Sequence, residues 1–195
     1  MRLRGGGEEK NMMFKEVELS YMPLHPRPAY LIVSGVEGEL NVMAASWVMP
    51  VSEEPLRLAI AIDRESRTYE LIEKYGEFTV NVVDAKLVDK VYKAGTISGK
   101  SVKDKLTIIG LKTTPSLKIR TPGLEEALGI IESKVWKSLD VGEVRLYIAD
   151  ILAIRVRPEY YNERYGWDIR KAQILLHLTG RAFTIPCKLV LAKRK

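Results

Sequence analysis

The segment Asp63-Arg64-Glu65-Ser66-Arg67-Thr68 contains the residue types that hold a phosphate group. It lies between a strand-like run and a helix-like run, where free backbone N–H groups and the positive end of a helix dipole point outward. Arg64 and Arg67 supply guanidinium groups, and Ser66 and Thr68 supply hydroxyls, so the segment suits a monophosphate. The alternative interpretation of these six residues is a capped helix with solvated arginines.

The segment Asn41-Val42-Met43-Ala44-Ala45-Ser46-Trp47 carries small residues in a run otherwise typical of a strand. Small side chains at Ala44, Ala45 and Ser46 allow a flat ligand to lie close to the backbone, whose amides can then bind its polar edge. Tight packing between strands is the alternative explanation. From these residues alone, both interpretations stay open.

Residues for other chemistry are few. His25 and His177 are the only histidines and are far apart, without the acid and nucleophile of a catalytic triad or the spacing of a metal site. His177 lies in an apolar run, where it is either a packed histidine or one that faces a ligand. The single cysteine, Cys187, cannot form an internal disulfide, which fits a reducing compartment. The sequence therefore predicts neither a side-chain nucleophile nor a metal site.

Several elements position these residues. Apolar, β-rich runs predict strands over 30–34 and 40–48, and a two-residue period predicts strands over 56–62 and 77–83. Between the last two, Ser66 as N-cap and Gly76 as terminator predict a short helix. A further short helix is expected over 85–94, and the polar, glycine-containing stretch 95–105 is expected to be a loop.

The second half of the chain is richer in strand signals. Residues 124–139 are ambiguous between helix and strand, whereas 130–156 suits a long hairpin around the turn Asp140-Val141-Gly142. A further strand is expected over 173–178. Strands joined mostly by short turns, with two or three short helices, favour an antiparallel barrel with attached helices over a doubly wound sheet.

The composition is that of one globular domain. The chain has 195 residues, of which 46% are hydrophobic and 29% charged, and no apolar run approaches the roughly 18–20 residues of a membrane span. We expect a single domain over 1–195, with 1–14 flexible. Because the basic N-terminus is followed by glycine and acid rather than an apolar stretch, we expect no signal peptide and a cytoplasmic protein.

The charge is unevenly distributed. Residues 1–100 contain 13 Lys and Arg against 15 Asp and Glu, whereas residues 101–195 contain 18 against 10. A basic half raises the hypothesis of a nucleic-acid-binding module. The positive residues are mostly isolated, however, which is more typical of solubility or of a small anionic ligand. Nucleic acid is therefore not the expected partner.

Taken in order, five segments resemble the flavin reductase-like proteins, the FMN-binding split-barrel family that includes flavoredoxins and archaeal ferric reductases. The resemblance runs from about Pro28 to Pro186. The segments are Asn41 to Trp47, Arg64 to Thr68, Glu77 to Val82, Ser98-Gly99-Lys100 with Asp104-Lys105-Leu106, and Leu175 to Phe183.

The resemblance implies a mainly β (α+β) fold, a six-stranded antiparallel Greek-key split barrel with short flanking helices, working as a homodimer with FMN near the subunit interface. It also implies roles for individual residues. Asn41 and the backbone of Ala44, Ala45, Ser46 and Trp47 would line the ring and ribityl chain. The phosphate would be held by Arg64, Ser66, Arg67 and Thr68, with Asn81 beside them, while Ser98, Gly99 and Lys105 would approach the ring.

The resemblance implies chemistry carried by the cofactor. Flavin N5 would accept hydride from NADH or NADPH and pass electrons to free flavin, ferric iron or a partner protein, with no side-chain nucleophile needed. A lysine such as Lys105 near N1 and O2 would stabilise the anionic reduced flavin. A flavoredoxin-like carrier that nicotinamide does not reduce directly is the alternative, and a nucleic-acid-binding module is the weaker one.

Overall fold

The computed structural model describes residues 14–192. Its helices are α1 (Arg67–Tyr75), α2 (Val88–Thr96) and α3 (Lys105–Ile109). Its strands are β1 (Arg27–Pro28), β2 (Tyr30–Val36), β3 (Glu39–Ala45), β4 (Val48–Glu53), β5 (Leu56–Asp63), β6 (Glu77–Val82), β7 (Thr113–Thr114), β8 (Gly123–Leu124), β9 (Gly129–Val141), β10 (Val144–Val156), β11 (Tyr161–Asn162), β12 (Gly166–Trp167), β13 (Leu176–Thr179) and β14 (Ala182–Thr184). The start expected to be flexible, 1–14, lies outside the described residues apart from the exposed Phe14.

One large antiparallel sheet carries the fold. Seven strands follow the order β3-β2-β6-β9-β10-β5-β4, in which three hairpins are joined by the long-range pairs β2–β6, β6–β9 and β5–β10. The mainly β, split-barrel prediction is confirmed, with seven strands where six were expected. The run predicted over 40–48 divides into β3 and β4, and β4 continues through Pro50 to Glu53. Because β4 is an edge strand, the missing proline N–H need not break the ladder.

The sheet curls around an inner core. Ile32 of β2, Ile60 of β5, Phe78 of β6 and Tyr147 of β10 belong to a single buried cluster, although β2 and β5 are separated in the sheet by three strands. Strands so far apart can share one cluster only if the sheet is strongly curved. The alternation predicted for these segments thus corresponds to the inner face of the barrel.

The opposite face of β2 and β3 is covered by helices. Leu31 and Val33 of β2 pack with Val91 and Ala94 of α2 and Leu106 of α3 in a second buried cluster. Since β2 contributes to both clusters with a period of two residues, it is buried on both faces. This packing fixes α2 and α3 beside β3, where the small residues lie.

Helix α1 has the ends that the sequence predicts. The Ser66 hydroxyl accepts a hydrogen bond from the backbone N–H of Tyr69, and Gly76 ends the helix with a φ of 70°. The left-handed conformation favours glycine at that position. The helix contributes Ile72 to the inner core, so its first turn is held in a fixed position relative to β3.

The structure confirms the long hairpin predicted over 130–156 and shortens the loop predicted over 95–105. β9 and β10 pair along their whole length, and the ambiguous stretch 124–139 is not helical: a turn over 125–128 leads into β9. Gly95 and Thr96 form the last turn of α2, and Lys105 begins α3, so the loop is confined to 97–104. A small sheet of β1, β13 and β14 lies apart from the large one. In the described range 14–192, no helix is long and apolar enough to cross a membrane.

Candidate functional site

An apolar cavity of about 330 Å³ lies at the end of β3. Its floor is formed by Ala44, Ala45 and Ser46, whose small side chains leave the backbone open to the cavity. Helix α2 approaches closely here, because a Cβ built on Gly95 would lie 3.5 Å from that of Ala44. The rest of the wall comes from α2 and the small sheet: Ala29, Val91, Tyr92, Gly95, Thr96, His177, Gly180 and Phe183.

A polar cavity of about 380 Å³ lies at the start of the same strand. Four elements meet there: β3, the first turn of α1, the loop 97–104 and the start of α3. Four cationic and two anionic side chains line it, so its charge is net positive. The charged and polar residues are Glu39, Asn41, Arg67, Glu70, Lys100, Lys103 and Lys105.

The strand β3 connects the two cavities. With a rise of about 3.4 Å per residue, Asn41 and Ala45 are about 14 Å apart along the strand. β3 is an edge strand whose only neighbour is β2, so among residues 14–192 alternate backbone N–H and C=O groups on its outer edge have no strand partner. The strand therefore offers hydrogen-bonding groups beside both cavities.

Asn41 has an unused hydrogen-bond acceptor. Its amide nitrogen donates to Oγ1 of Thr68 at 2.9 Å, whereas its Oδ1 is buried and has no partner among the described residues. Gly99 packs against this amide, since a Cβ built on Gly99 would lie 2.3 Å from Oδ1. A buried acceptor without a donor is costly, so Asn41 is well suited to a ligand that carries a hydroxyl or N–H group.

Arg67 is held at the polar cavity by two carboxylates. Its guanidinium donates to Glu39 and to Glu70, each at 2.7 Å. Hydrogen bonds from Lys74, Tyr75 and Arg67 lower the pKa of Glu39 to about 2, and the bond to Glu70 raises the pKa of Arg67. These groups therefore remain charged across the physiological pH range.

Lys105 is the buried cation of the site. Its side chain is 3% exposed, and Nζ donates to the backbone carbonyl of Ala94 at 2.7 Å. Burial lowers the pKa of Lys105 to about 8. The residue lines the polar cavity and not the apolar one, although its partner Ala94 is adjacent to Gly95 of the apolar cavity.

Two residues expected to hold a phosphate lie elsewhere. Arg64 donates to the carbonyl of Gly142 at 2.7 Å and is 3.8 Å from Asp140, both at the tip of the β9–β10 hairpin. Ser66 donates to the carbonyl of Asp63 at 2.7 Å and caps α1. Neither side chain lines either of the two cavities. Each is bonded instead to the carbonyl or carboxylate groups just named.

Of the other residues expected at the site, some line the two cavities and others are buried or lie elsewhere. Thr68 is buried beneath Asn41, and Asn81 is fully buried with its amide bonded to Leu31, Thr79 and Leu124. Ser98 is exposed in the loop and Trp47 lines a separate cavity against β5, whereas His177 lines the apolar cavity. The structure thus brings together Asn41, Ala44, Ala45, Ser46, Arg67, Gly99 and Lys105 along β3, with His177 at one end.

The known-family model that matches this chain covers residues 22–186 and describes a flavin reductase like domain. The chain belongs to the flavin reductase-like family. It is 38% identical to an uncharacterised protein of Pyrococcus abyssi, over 84% of this chain and 92% of that protein. It is 23% identical to the ferric-chelate reductase (NAD(P)H) of Archaeoglobus fulgidus, over 65% of this chain and 74% of the reductase.

Solved structures share the flavin reductase-like fold. The flavoredoxin of Desulfovibrio vulgaris aligns with a TM-score of 0.82 at 22% identity, covering 92% of this chain and 97% of the flavoredoxin. An FMN-binding protein of Thermus thermophilus aligns with a TM-score of 0.79 at 18% identity, over 94% and 99% of the two chains. At these identities the likeness establishes the fold.

In this flavin reductase-like chain, sequence analysis missed the acidic half of the polar cavity. Glu39 and Glu70 flank Arg67, and Lys100 joins them through a 3.0 Å ion pair to Glu70. One signal was available: Glu39 precedes Asn41 by two residues, which places both on one face of a strand. The contribution of Lys103 had no such signal, because it lies in a loop whose path the sequence does not determine.

Proposed function

We propose that this protein binds FMN along β3 and acts as an oxidoreductase that passes electrons from NADH or NADPH through the flavin to free flavin, ferric iron or a partner protein. One observation carries the proposal. A single edge strand joins a cavity floored by small residues to a cavity that is net positive and contains a buried acceptor with no partner within 14–192. A mononucleotide with a flat base needs this combination.

The polar cavity fits the ribityl phosphate end. Oδ1 of Asn41 can accept a hydrogen bond from a ribityl hydroxyl, which supplies the donor that it lacks. Arg67, Lys100 and Lys103 provide charge-assisted donors for a phosphate. The carboxylates of Glu39 and Glu70 keep Arg67 oriented before the ligand arrives, which lowers the entropy cost of binding.

The apolar cavity fits the ring end. The small side chains of Ala44, Ala45 and Ser46 admit a flat ring, and backbone groups on the free edge of β3 can bind its polar atoms. When bound, FMN would supply hydride and single-electron chemistry. The apolar lining around it excludes water, and His177 stands at the rim where a proton or a polar substrate group can be held.

A second candidate function is that of a flavoredoxin-like electron carrier, which would bind FMN but take electrons from another protein. The alignment with two flavoredoxins, at TM-scores of 0.82 and 0.81, favours this candidate. The nucleic-acid hypothesis has less support, because several arginines of the basic half are taken up in ion pairs, including Arg145, Arg155 and Arg170.

Absorbance titration and stopped-flow reduction test the proposal. We expect FMN to bind with a shifted flavin absorbance band, and NADH or NADPH to bleach the bound flavin rapidly. Slow bleaching by both nicotinamides, with fast reduction by a redox protein, would favour the carrier. Absence of any FMN binding would refute both candidates, while binding of DNA or RNA that weakens steeply with salt would favour the third.

We also propose a homodimer located in the cytoplasm. The lone cysteine, which is exposed, suits a reducing compartment. Exposed apolar side chains near both ends of the described chain support self-association.

A further inference from the structure

Lys105 is in an unusual environment for a lysine. It is 3% exposed, and its hydrogen bond is to a neutral acceptor, the backbone carbonyl of Ala94. An ammonium group has three donors, so most of its hydrogen-bonding capacity is not used by the protein. Burial without a carboxylate partner lowers its pKa to about 8, whereas an exposed lysine titrates near 10.4.

The charges that face Lys105 do not compensate it. Across the cavity, the carboxylate of Glu39 on β3 is bonded to Arg67, Lys74 and Tyr75. The remaining nearby charges are also engaged or repulsive. Glu70 on α1 forms ion pairs with Arg67 and Lys100. Asp104 is hydrogen-bonded to Thr107, and Lys90 on α2 forms an ion pair with Glu126. Lys103 is a further cation in the loop.

We propose that binding of a phosphate monoester in the polar cavity is coupled to uptake of a proton by Lys105, so that affinity for FMN falls as the pH rises above neutrality. This inference rests on the proposed function, because it places the phosphate end of FMN in that cavity. An anion next to Nζ stabilises the protonated form of Lys105, for which the facing carboxylates do not compensate. Lys105 then acts as a binding residue, and the phosphate of the ligand provides its opposite charge.

The direction follows from linkage. The free protein loses the Lys105 proton around pH 8, whereas the complex keeps it to higher pH, so the complex holds more protons between the two pKa values. Affinity is therefore highest below about pH 8 and declines above it. With a bound-state pKa near that of an exposed lysine, the Kd should rise about tenfold between about pH 7 and pH 9.

The test compares FMN with riboflavin, which lacks the phosphate. Their dissociation constants are measured by flavin fluorescence from about pH 7 to pH 9, above the second ionisation of a phosphate monoester at about 6. We expect the tenfold weakening for FMN alone. An equal change for both flavins, or no change for FMN, would overturn the inference.

Variants at Lys105 sharpen the test. Lys105→Met stays neutral, so FMN should bind more weakly at pH 7 and show no dependence on pH. Lys105→Arg stays charged throughout, so affinity should remain high at pH 9. If the arginine variant does not fold, the methionine variant and the riboflavin comparison still decide, because an unchanged pH slope in Lys105→Met would contradict the proposal.

Lys103→Met is the matched control. Its side chain lines the same cavity but is exposed, whereas that of Lys105 is buried, so its loss should weaken FMN binding equally at every pH. Loss of the pH slope in this variant as well would contradict the assignment to Lys105. Failure of the wild-type protein to bind either flavin at any pH would refute the proposed function itself, which distinguishes the two failures.

Discussion

Arg64 and Arg67 are three positions apart in one segment, yet they contact different parts of the molecule. Arg64 precedes the helix and reaches the tip of the β9–β10 hairpin. Arg67 is the first residue of α1 and points to β3, where Glu39 binds it. A phosphate site that uses both side chains therefore stays a prediction, whereas the polar cavity is lined by Arg67 alone of the two.

A pair of matched variants tests this difference. Arg67→Met should weaken FMN binding by roughly 1.5–3 kcal/mol, because a charge-assisted contact to the phosphate is lost. Arg64→Met should leave FMN affinity unchanged, since its partners are Gly142 and Asp140. Isothermal titration with FMN gives both values. Equal losses in the two variants would show that the polar cavity is not the phosphate site.

At the scale of elements, the loop 97–104 brings its backbone onto β3. Gly99 touches both Asn41 and Arg67, since a Cβ built on it would lie 2.3 Å from Oδ1 of Asn41 and 3.0 Å from Cβ of Arg67. Lys100 ties the same loop to α1 through Glu70. The loop thereby forms one wall of the polar cavity, and its position depends on the absence of a side chain at residue 99.

Gly99→Ala should displace this loop. We expect a loss of about 1–3 kcal/mol in the free energy of unfolding, typical of overpacking, and weaker binding of FMN. Denaturant unfolding and fluorescence titration measure the two effects. Ser101→Ala, a change at an exposed position of the same loop, should alter neither. Wild-type behaviour of Gly99→Ala would mean that the loop moves freely away from Asn41.

At the scale of the whole molecule, the described chain leaves apolar side chains uncovered at both ends. Val17 and Leu19 precede β1, and Leu189, Val190 and Leu191 follow β14. β1 and β14 belong to the same small sheet, which also carries His177 of the apolar cavity. Exposed apolar residues in chain segments that flank the same sheet are typical of an interface between proteins.

We therefore predict a dimer that depends on these segments. Sedimentation equilibrium should give twice the chain mass of 22.1 kDa, and the joint change Leu19→Ser with Val190→Ser should shift the protein towards monomer. Leu139→Ser is the control, because Leu139 is also exposed but lies on β9, near the hairpin tip. Dissociation by the control alone would move the interface to the hairpin.

The sequence by itself determined most elements of this protein and its family. Strand alternation reflects the two-residue period of side chains, and the helix ends at Ser66 and Gly76 depend on local backbone hydrogen bonds, so both can be inferred from neighbouring residues. The small residues Ala44 to Ser46 were located in the same way, and they line a cavity in the structure. The sequence did not indicate that β4 extends through Pro50, because a proline is permitted in an edge strand and edge position is a long-range property.

Only the tertiary structure decided which charged residues meet. The polar cavity takes Glu39, Arg67, Lys100 and Lys105 from four elements, and their convergence depends on how α1, α3 and a loop pack against β3. It also separated Arg64 from Arg67, which contact different parts of the molecule. Neighbouring residues do not determine which of several charged side chains forms an ion pair. The tertiary fold does, because a charged group pairs with the partner that packing brings close to it.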